Sequence, residues 1–109
     1  MNNQTKFSQT EIKYLLKKYP YMKSKGIYKA VTEIIEKCLD DADEDTRTLA
    51  ESIYFNKKSI VSMQFEVYLS ESQILRRLNT LNKNILIECI LNNRMKAFKT
   101  AYTKLKKEN

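Results

Sequence analysis

The sequence predicts an all-α fold, a small helical domain of about five helices. Gly26 and Pro20 are the only glycine and proline in 109 residues, whereas sheets and catalytic loops usually need both residue types at their turns. Apolar residues recur along most of the chain at the three- and four-residue spacing of a buried helix face. The length fits a single domain, residues 1–109. No apolar run approaches the roughly 20 residues that would cross a bilayer, so we expect no membrane contact.

The N-terminal helices are predicted to occupy about residues 8–45. The first begins at Ser8, which forms a capping box with Glu11, and Pro20 ends it because proline cannot continue a helix. A second helix is predicted from about Ile27 to Leu39. The acidic run at 40–45 lacks the central glycine of a calcium loop, so we interpret its carboxylates as stabilising the positive end of a third helix.

Residues from about 46 to 91 are predicted to form a helix-turn-helix region. The third helix carries Leu49 to Tyr54, and a short helix follows from about Ser59 to Val67. Ser70 and Gln73 then form a second capping box, which opens the longest periodic segment, Ile74 to Leu91. A last amphipathic helix is expected over about 94–107, and either continues from this segment or is separated from it at Asn92 and Asn93.

The composition argues against catalysis and metal binding. Histidine is absent, which removes the commonest general base and metal ligand. Cys38 and Cys89 lie far apart among apolar residues, so we expect free, buried thiols in a reducing cytoplasm. The polar start, Met1 to Lys6, does not resemble a secretory signal. We therefore expect a cytoplasmic protein that is not an enzyme and has no cofactor and no metal.

The net charge of +7 is concentrated in the second half of the chain. Residues 1–53 hold nine Lys or Arg and nine Asp or Glu, whereas residues 54–109 hold eleven and four. A basic half on a small helical protein favours a polyanionic partner, although lysine-rich surfaces also occur simply for solubility.

A helical wheel of the segment after Ser70 separates an apolar face from a polar one. The apolar face holds Ile74, Leu78, Leu81, Ile85 and Cys89. The opposite face holds Ser72, Arg76, Asn79 and Lys83, flanked by Gln73, Thr80 and Arg77. Burial of the apolar face would present to solvent the residue types that contact double-stranded DNA.

This helix is therefore the predicted reader of the major groove, preceded by a short helix and a serine-capped turn as in a helix-turn-helix. The candidates for base contacts are Ser72, Gln73, Arg76, Asn79 and Thr80. The candidates for phosphate contacts are Ser70, Arg77, Lys83, Lys57 and Lys58. A polar outer face is also what any solvated helix has, so the prediction depends on the turn, the paired arginines and the local charge together.

Residues 68–78, YLSESQILRRL, resemble the "Y-S-E-S-Q-aromatic-aromatic-R-x-L" stretch of ArpU-type phage transcriptional regulators, with Ile74 and Leu75 in place of the aromatics. That family is similar to RinA-type activators and to the last helix-turn-helix of sigma factors. Leu49 to Phe55 is similar to the family's "L-x-x-x-Y" helix, and residues 15–20 to its "L-K-x-Y-P". The resemblance covers about 46–90, with a weaker patch at 12–22, and implies a sequence-specific regulator from a phage, prophage or mobile element.

The sequence is also compatible with partners other than double-stranded DNA. A sigma-like protein would bind RNA polymerase, and the last helix could form a homodimer surface or fold back on the core. A helical protein-interaction module, such as a phage-encoded inhibitor, is the alternative from another class, because tyrosine is favoured at interfaces. Four tyrosines lie near the N-terminus, where lining the edge of the core is the simpler explanation. They are Tyr14, Tyr19, Tyr21 and Tyr28.

Overall fold

The computed structural model describes residues 9–108, and this part of the chain is all-helical, as predicted. Its seven α-helices are α1 (Gln9–Lys17), α2 (Tyr19–Lys25), α3 (Lys29–Asp41), α4 (Glu44–Ala50), α5 (Ile60–Val67), α6 (Glu71–Leu91) and α7 (Met95–Glu108). A π-helical segment, Glu51–Phe55, continues α4. No helix among the described residues is long and apolar enough to cross a membrane.

Helix α6 is the centre of the fold, with α1, α3, α4 and α5 packed against it. The apolar face predicted from the wheel is buried in full, from Ile74 to Cys89, with no side chain on it more than 3% exposed. Burying a side chain of this size contributes about 1.5–3 kcal/mol each, so the stripe fixes which side of α6 faces solvent. The orientation that the DNA prediction requires is therefore present.

The expected count of about five helices is too low, in part because of Pro20. The structure ends α1 at Lys17 and starts α2 at Tyr19, with Pro20 in the first turn of α2. Proline is tolerated there because an N–H in the first turn has no partner within the helix. Gly26 ends α2 with φ 68°, a left-handed conformation that glycine adopts without strain. The capping box predicted at Ser8 lies outside the described residues.

The acidic run stabilises the start of a helix, as the sequence analysis proposed. Asp43 caps α4 by accepting a hydrogen bond of 2.8 Å from the backbone N–H of Thr46. Glu44 and Asp45 lie in the first turn, where their charges favourably oppose the helix dipole.

The question of where α6 ends is settled at Asn92 and Asn93. Asn92 donates from Nδ2 to the Glu88 carbonyl at 2.8 Å, and Asn93 has φ 57°, so the chain turns away from the helix axis. Arg94 then donates from Nη1 to the Ala30 carbonyl at 3.0 Å and to Glu33 Oε1 at 2.9 Å. These bonds hold the start of α7 against α3, and the last helix folds back on the core.

The two thiols and most of the N-terminal tyrosines lie where the sequence predicts. Cys38 and Cys89 are buried and free, and burial raises the pKa of each thiol to about 11. Tyr14, Tyr19 and Tyr28 pack against the edge of the core, whereas Tyr21 is exposed. Burial and a 2.6 Å hydrogen bond to the carboxylate of Glu36 raise the pKa of Tyr19 to about 12.

Candidate nucleic-acid interface

A three-residue turn, Tyr68 to Ser70, joins α5 to α6. Tyr68 takes the left-handed conformation, φ 58°, and its N–H donates to the Gln64 carbonyl at 3.0 Å. Ser70 and Gln73 form the predicted capping box. The Gln73 N–H donates to Ser70 Oγ at 3.2 Å, and the Ser70 N–H donates to Gln73 Oε1 at 2.8 Å. The start of α6 is therefore held in one geometry relative to the turn.

The capping box occupies some of the atoms that the sequence assigned to DNA. Gln73 Oε1 already accepts from the Ser70 N–H, and this bond holds the side-chain amide against the turn. Ser72 Oγ lies 3.3 Å from Ser70 Oγ, and the two hydroxyls share one hydrogen bond. Ser70, Ser72 and Gln73 are exposed, yet they stabilise the helix start. Paired reading of an adenine edge by Gln73 would require the capping box to open.

Four candidate side chains form one exposed face in the middle of α6. They are Arg76, Asn79, Thr80 and Lys83. At 100° per residue they fall within an arc of about 100°, and at 1.5 Å per residue they extend over about 10 Å. Among residues 9–108, no carboxylate or hydrogen-bonding group of the protein engages any of the four side chains. This set is called the α6 polar face below.

Arg77, by contrast, is engaged within the protein. Its Nη1 lies 2.9 Å from Asp43 Oδ2, so the guanidinium joins α6 to the residue that caps α4. Hydrogen bonds from Thr46, together with the charge of Arg77, lower the pKa of Asp43 below its usual range. The arginine predicted to contact phosphate thus serves a tertiary contact, and its neighbour Arg76 is the arginine that faces solvent unpaired.

The two lysines of the turn before α5 also differ from each other. Lys58 Nζ lies 3.3 Å from Glu66 Oε2, an exposed ion pair across α5. Lys57 is exposed, has φ 59°, and has no ion-pair partner in the part of the chain that the structure describes. Of the phosphate candidates, Lys57 and Lys83 are the ones whose charge is unpaired.

Asn82 is a polar residue of α6 that the sequence analysis missed. It is fully buried, and its Nδ2 donates to the hydroxyl of Tyr54 at 3.4 Å. Its Oδ1 is the one buried side-chain acceptor among residues 9–108 that has no partner. The wheel contains the signal, because position 82 lies four residues after Leu78 and three before Ile85, beside the buried stripe.

Three exposed surfaces were also not anticipated. Helix α5 and the turn after it expose an apolar stripe of Val61, Phe65 and Tyr68, which are 63%, 75% and 89% exposed. The end of α6 exposes Ile87, Ile90 and Leu91. Exposed apolar residues such as those on α5 and at the end of α6 are found where proteins bind other proteins.

The third surface is the outer side of α7, which carries a row of lysines and threonines.

No three His, Cys, Asp or Glu side chains come together as a metal site within residues 9–108. The arrangement on α6 is suited to binding, because it presents hydrogen-bond donors and acceptors on a rigid helix. Comparisons of the chain with protein-family models, with curated proteins and with solved structures gave no match.

Proposed function

We propose that the protein is a sequence-specific DNA-binding transcription regulator that places α6 in the major groove. The observation that carries the proposal is the α6 polar face, four exposed side chains that the described part of the protein leaves without partners. Charges on a solvated helix can pair with each other, as Lys37 and Asp41 do on α3. The α6 polar face has no internal pairing, and its chemistry is that of base recognition.

Each side chain of the face has a distinct use in the groove. The Arg76 guanidinium can donate two hydrogen bonds to the O6 and N7 atoms of guanine, and the Asn79 amide can pair with the N6 and N7 atoms of adenine. The Thr80 hydroxyl can bond to a base edge, and its methyl group can contact the C5-methyl group of thymine. Lys83 on α6 and Lys57 before α5 supply unpaired charge for the phosphates on either side.

The turn and the resemblance add to this proposal. The connection between α5 and α6 has the length typical of a helix-turn-helix and a left-handed residue at its start. The likeness of residues 46–90 to ArpU-type regulators suggests that the protein regulates genes of a phage, prophage or mobile element. Its DNA target would then lie in the cytoplasm.

A second candidate function, a protein-interaction module, is favoured by the exposed apolar stripe on α5. Val61 and Phe65 are four residues apart on one side of α5, and Tyr68 lies in the turn directly after the helix. RNA polymerase is the partner that a sigma-like protein would bind. The two functions are compatible, because the stripe and the α6 polar face are separate sets of residues.

In vitro selection from a pool of random DNA duplexes tests the proposal. Wild-type protein should enrich one sequence, and Arg76→Ala should lose about 1–3 kcal/mol of affinity for it, roughly 5- to 150-fold, while relaxing the preference at one base pair. Arg77→Ala is the matched control: it removes an arginine from the same turn that pairs with Asp43, and should keep the preference. Failure to enrich any sequence, or an unchanged preference in Arg76→Ala, would overturn the proposal.

A further inference from the structure

The outer side of α7 carries a continuous row of lysines and threonines. Lys96, Lys99, Thr100, Thr103, Lys104 and Lys107 line one shallow concavity. The opposite side of the helix holds Phe98, Ala101 and Leu105, which are at most 2% exposed. Burial of these three against the core fixes the row toward solvent. This row is called the α7 basic face below.

Three of the four lysines on the α7 basic face have no neutralising charge nearby. The only carboxylate on α7 is Glu108, at its last described position. Among residues 9–108, Lys96, Lys104 and Lys107 have no carboxylate within ion-pair distance. Lysines this close together repel one another, and this repulsion raises the free energy of the isolated protein. A bound anion would relieve the repulsion and would be attracted to the face.

Helix stability accounts for Lys107, a cation in the last turn of α7, but not for Lys96 at the start of the helix. The first turn of a helix favours acidic residues, yet α7 begins with Lys96 in that turn and no acid. Lys106 is a useful contrast, because its Nζ lies 5.1 Å from the centre of the Tyr14 ring and 6.0 Å from that of Tyr102. Lys106 is thus occupied by cation–π contacts, whereas Lys96, Lys104 and Lys107 have no such contact among residues 9–108.

We propose that the α7 basic face is a second binding surface, which contacts the phosphate backbone of a DNA duplex without reading its sequence. From Lys96 to Lys107 the row extends about 16 Å, at 1.5 Å per residue. A duplex presents about ten negative charges over that length. The hydroxyls of Thr100 and Thr103 lie between the lysines and can donate hydrogen bonds to phosphate oxygens.

Two other occupants fit this face less well. An anionic membrane binds an amphipathic helix by taking up its apolar side, but here that side is buried in the core. A symmetric dimer through α7 would set the same lysines against each other. A duplex needs neither an apolar surface nor an opposite patch on a second copy. The inference does not depend on base reading by α6.

A salt series measures the proposed contact. We would compare wild type with Lys96→Gln/Lys104→Gln/Lys107→Gln by fluorescence anisotropy on a labelled duplex of arbitrary sequence. The matched control, Lys13→Gln/Lys17→Gln/Lys25→Gln, removes the same charge from α1 and α2, and circular dichroism verifies that all three proteins are folded. Each lost phosphate contact lowers the slope of log affinity against log salt by about 0.9. For the α7 variant, the magnitude of this slope should fall by about three and the affinity should fall by more than about tenfold. The control variant should show much smaller changes in both quantities.

The same experiment separates this inference from the function proposed for α6. Equal slopes for the α7 variant and its control would overturn the α7 contact, even if Arg76→Ala still lost the preferred sequence. In the reverse result, Arg76→Ala would keep the wild-type sequence preference while the α7 variant showed a reduced salt slope. That result would overturn base reading by α6 and support the α7 contact. Binding of wild type to anionic phospholipid vesicles but to no duplex would contradict the proposed α7 occupant.

Discussion

The two outward faces of α6 and α7 carry positive charge in different chemical forms. The α6 polar face combines a guanidinium, an amide, a hydroxyl and one ammonium group, whereas the α7 basic face offers only ammonium and hydroxyl groups. Guanidinium and amide groups present hydrogen bonds in a fixed planar geometry, and an ammonium group is a flexible point charge. The same polyanion would therefore be recognised by α6 and merely attracted by α7.

Both helices obtain their orientation from one core. Leu78 on α6 and Phe98 on α7 are each buried, and both faces depend on that burial to point outward. The outward direction of each face is thus determined by the buried side chains on the opposite side of its helix. The comparison predicts that damage to the core removes both faces together, whereas damage to one face leaves the other intact.

The largest effect should follow from Leu78→Asp. A carboxylate at this 3% exposed position would be buried without a partner, and we expect a loss of more than about 4 kcal/mol in the free energy of unfolding. Circular dichroism and urea unfolding would report it. The exposed neighbour provides the control, since Asn79→Asp should remain folded. A folded Leu78→Asp protein with normal DNA affinity would show that α6 is not held by this stripe.

A smaller effect is expected from Arg77→Ala, which breaks the ion pair with Asp43. Both groups are partly exposed, so the loss at neutral pH should be about 0.5 kcal/mol. The pKa of Asp43 is lowered in the folded protein, so its contribution is present above its ordinary value of 3.8 and is lost as pH falls through the folded value.

Urea unfolding of wild type and Arg77→Ala between about pH 7 and about pH 2.5 would measure this contribution. The two curves should converge as the pH falls. Arg76→Ala is the matched control, because its arginine has no carboxylate partner in the described structure, and it should follow wild type throughout. A difference between wild type and Arg77→Ala that stays constant down to the lowest pH would rule out the Asp43 pair as its source.

The sequence predicted the features that depend only on residues close together in the chain. The buried stripe of α6 follows from its spacing, the Ser70 capping box from four consecutive residues, and the short helix before it from apolar residues near Met63. Such features were predictable because each helix contains its own period and its own start signal. Pro20 is the exception, since the same residue type can end one helix or begin the next.

Contacts between distant residues could not be predicted in this way. The partners Arg77 and Asp43 lie 34 positions apart, and only the packing of α4 against α6 brings them together. The same holds for Arg94 and Glu33, which are 61 positions apart. The wheel therefore identified which residues face outward on α6, but not which of them remain unpaired. The α7 basic face was predictable, because its lysines and threonines recur at the spacing of one helix face.

The most direct test of the account is an NMR titration of the ¹⁵N-labelled protein with two duplexes, the one selected in vitro and a scrambled version. Amide and side-chain signals of Arg76, Asn79 and Thr80 should shift with the selected duplex and change little with the scrambled one. Signals of Lys96, Lys104 and Lys107 should shift alike with both. Equal shifts of the α6 signals with both duplexes, or shifts confined to the exposed stripe of α5, would contradict the claim that α6 reads DNA.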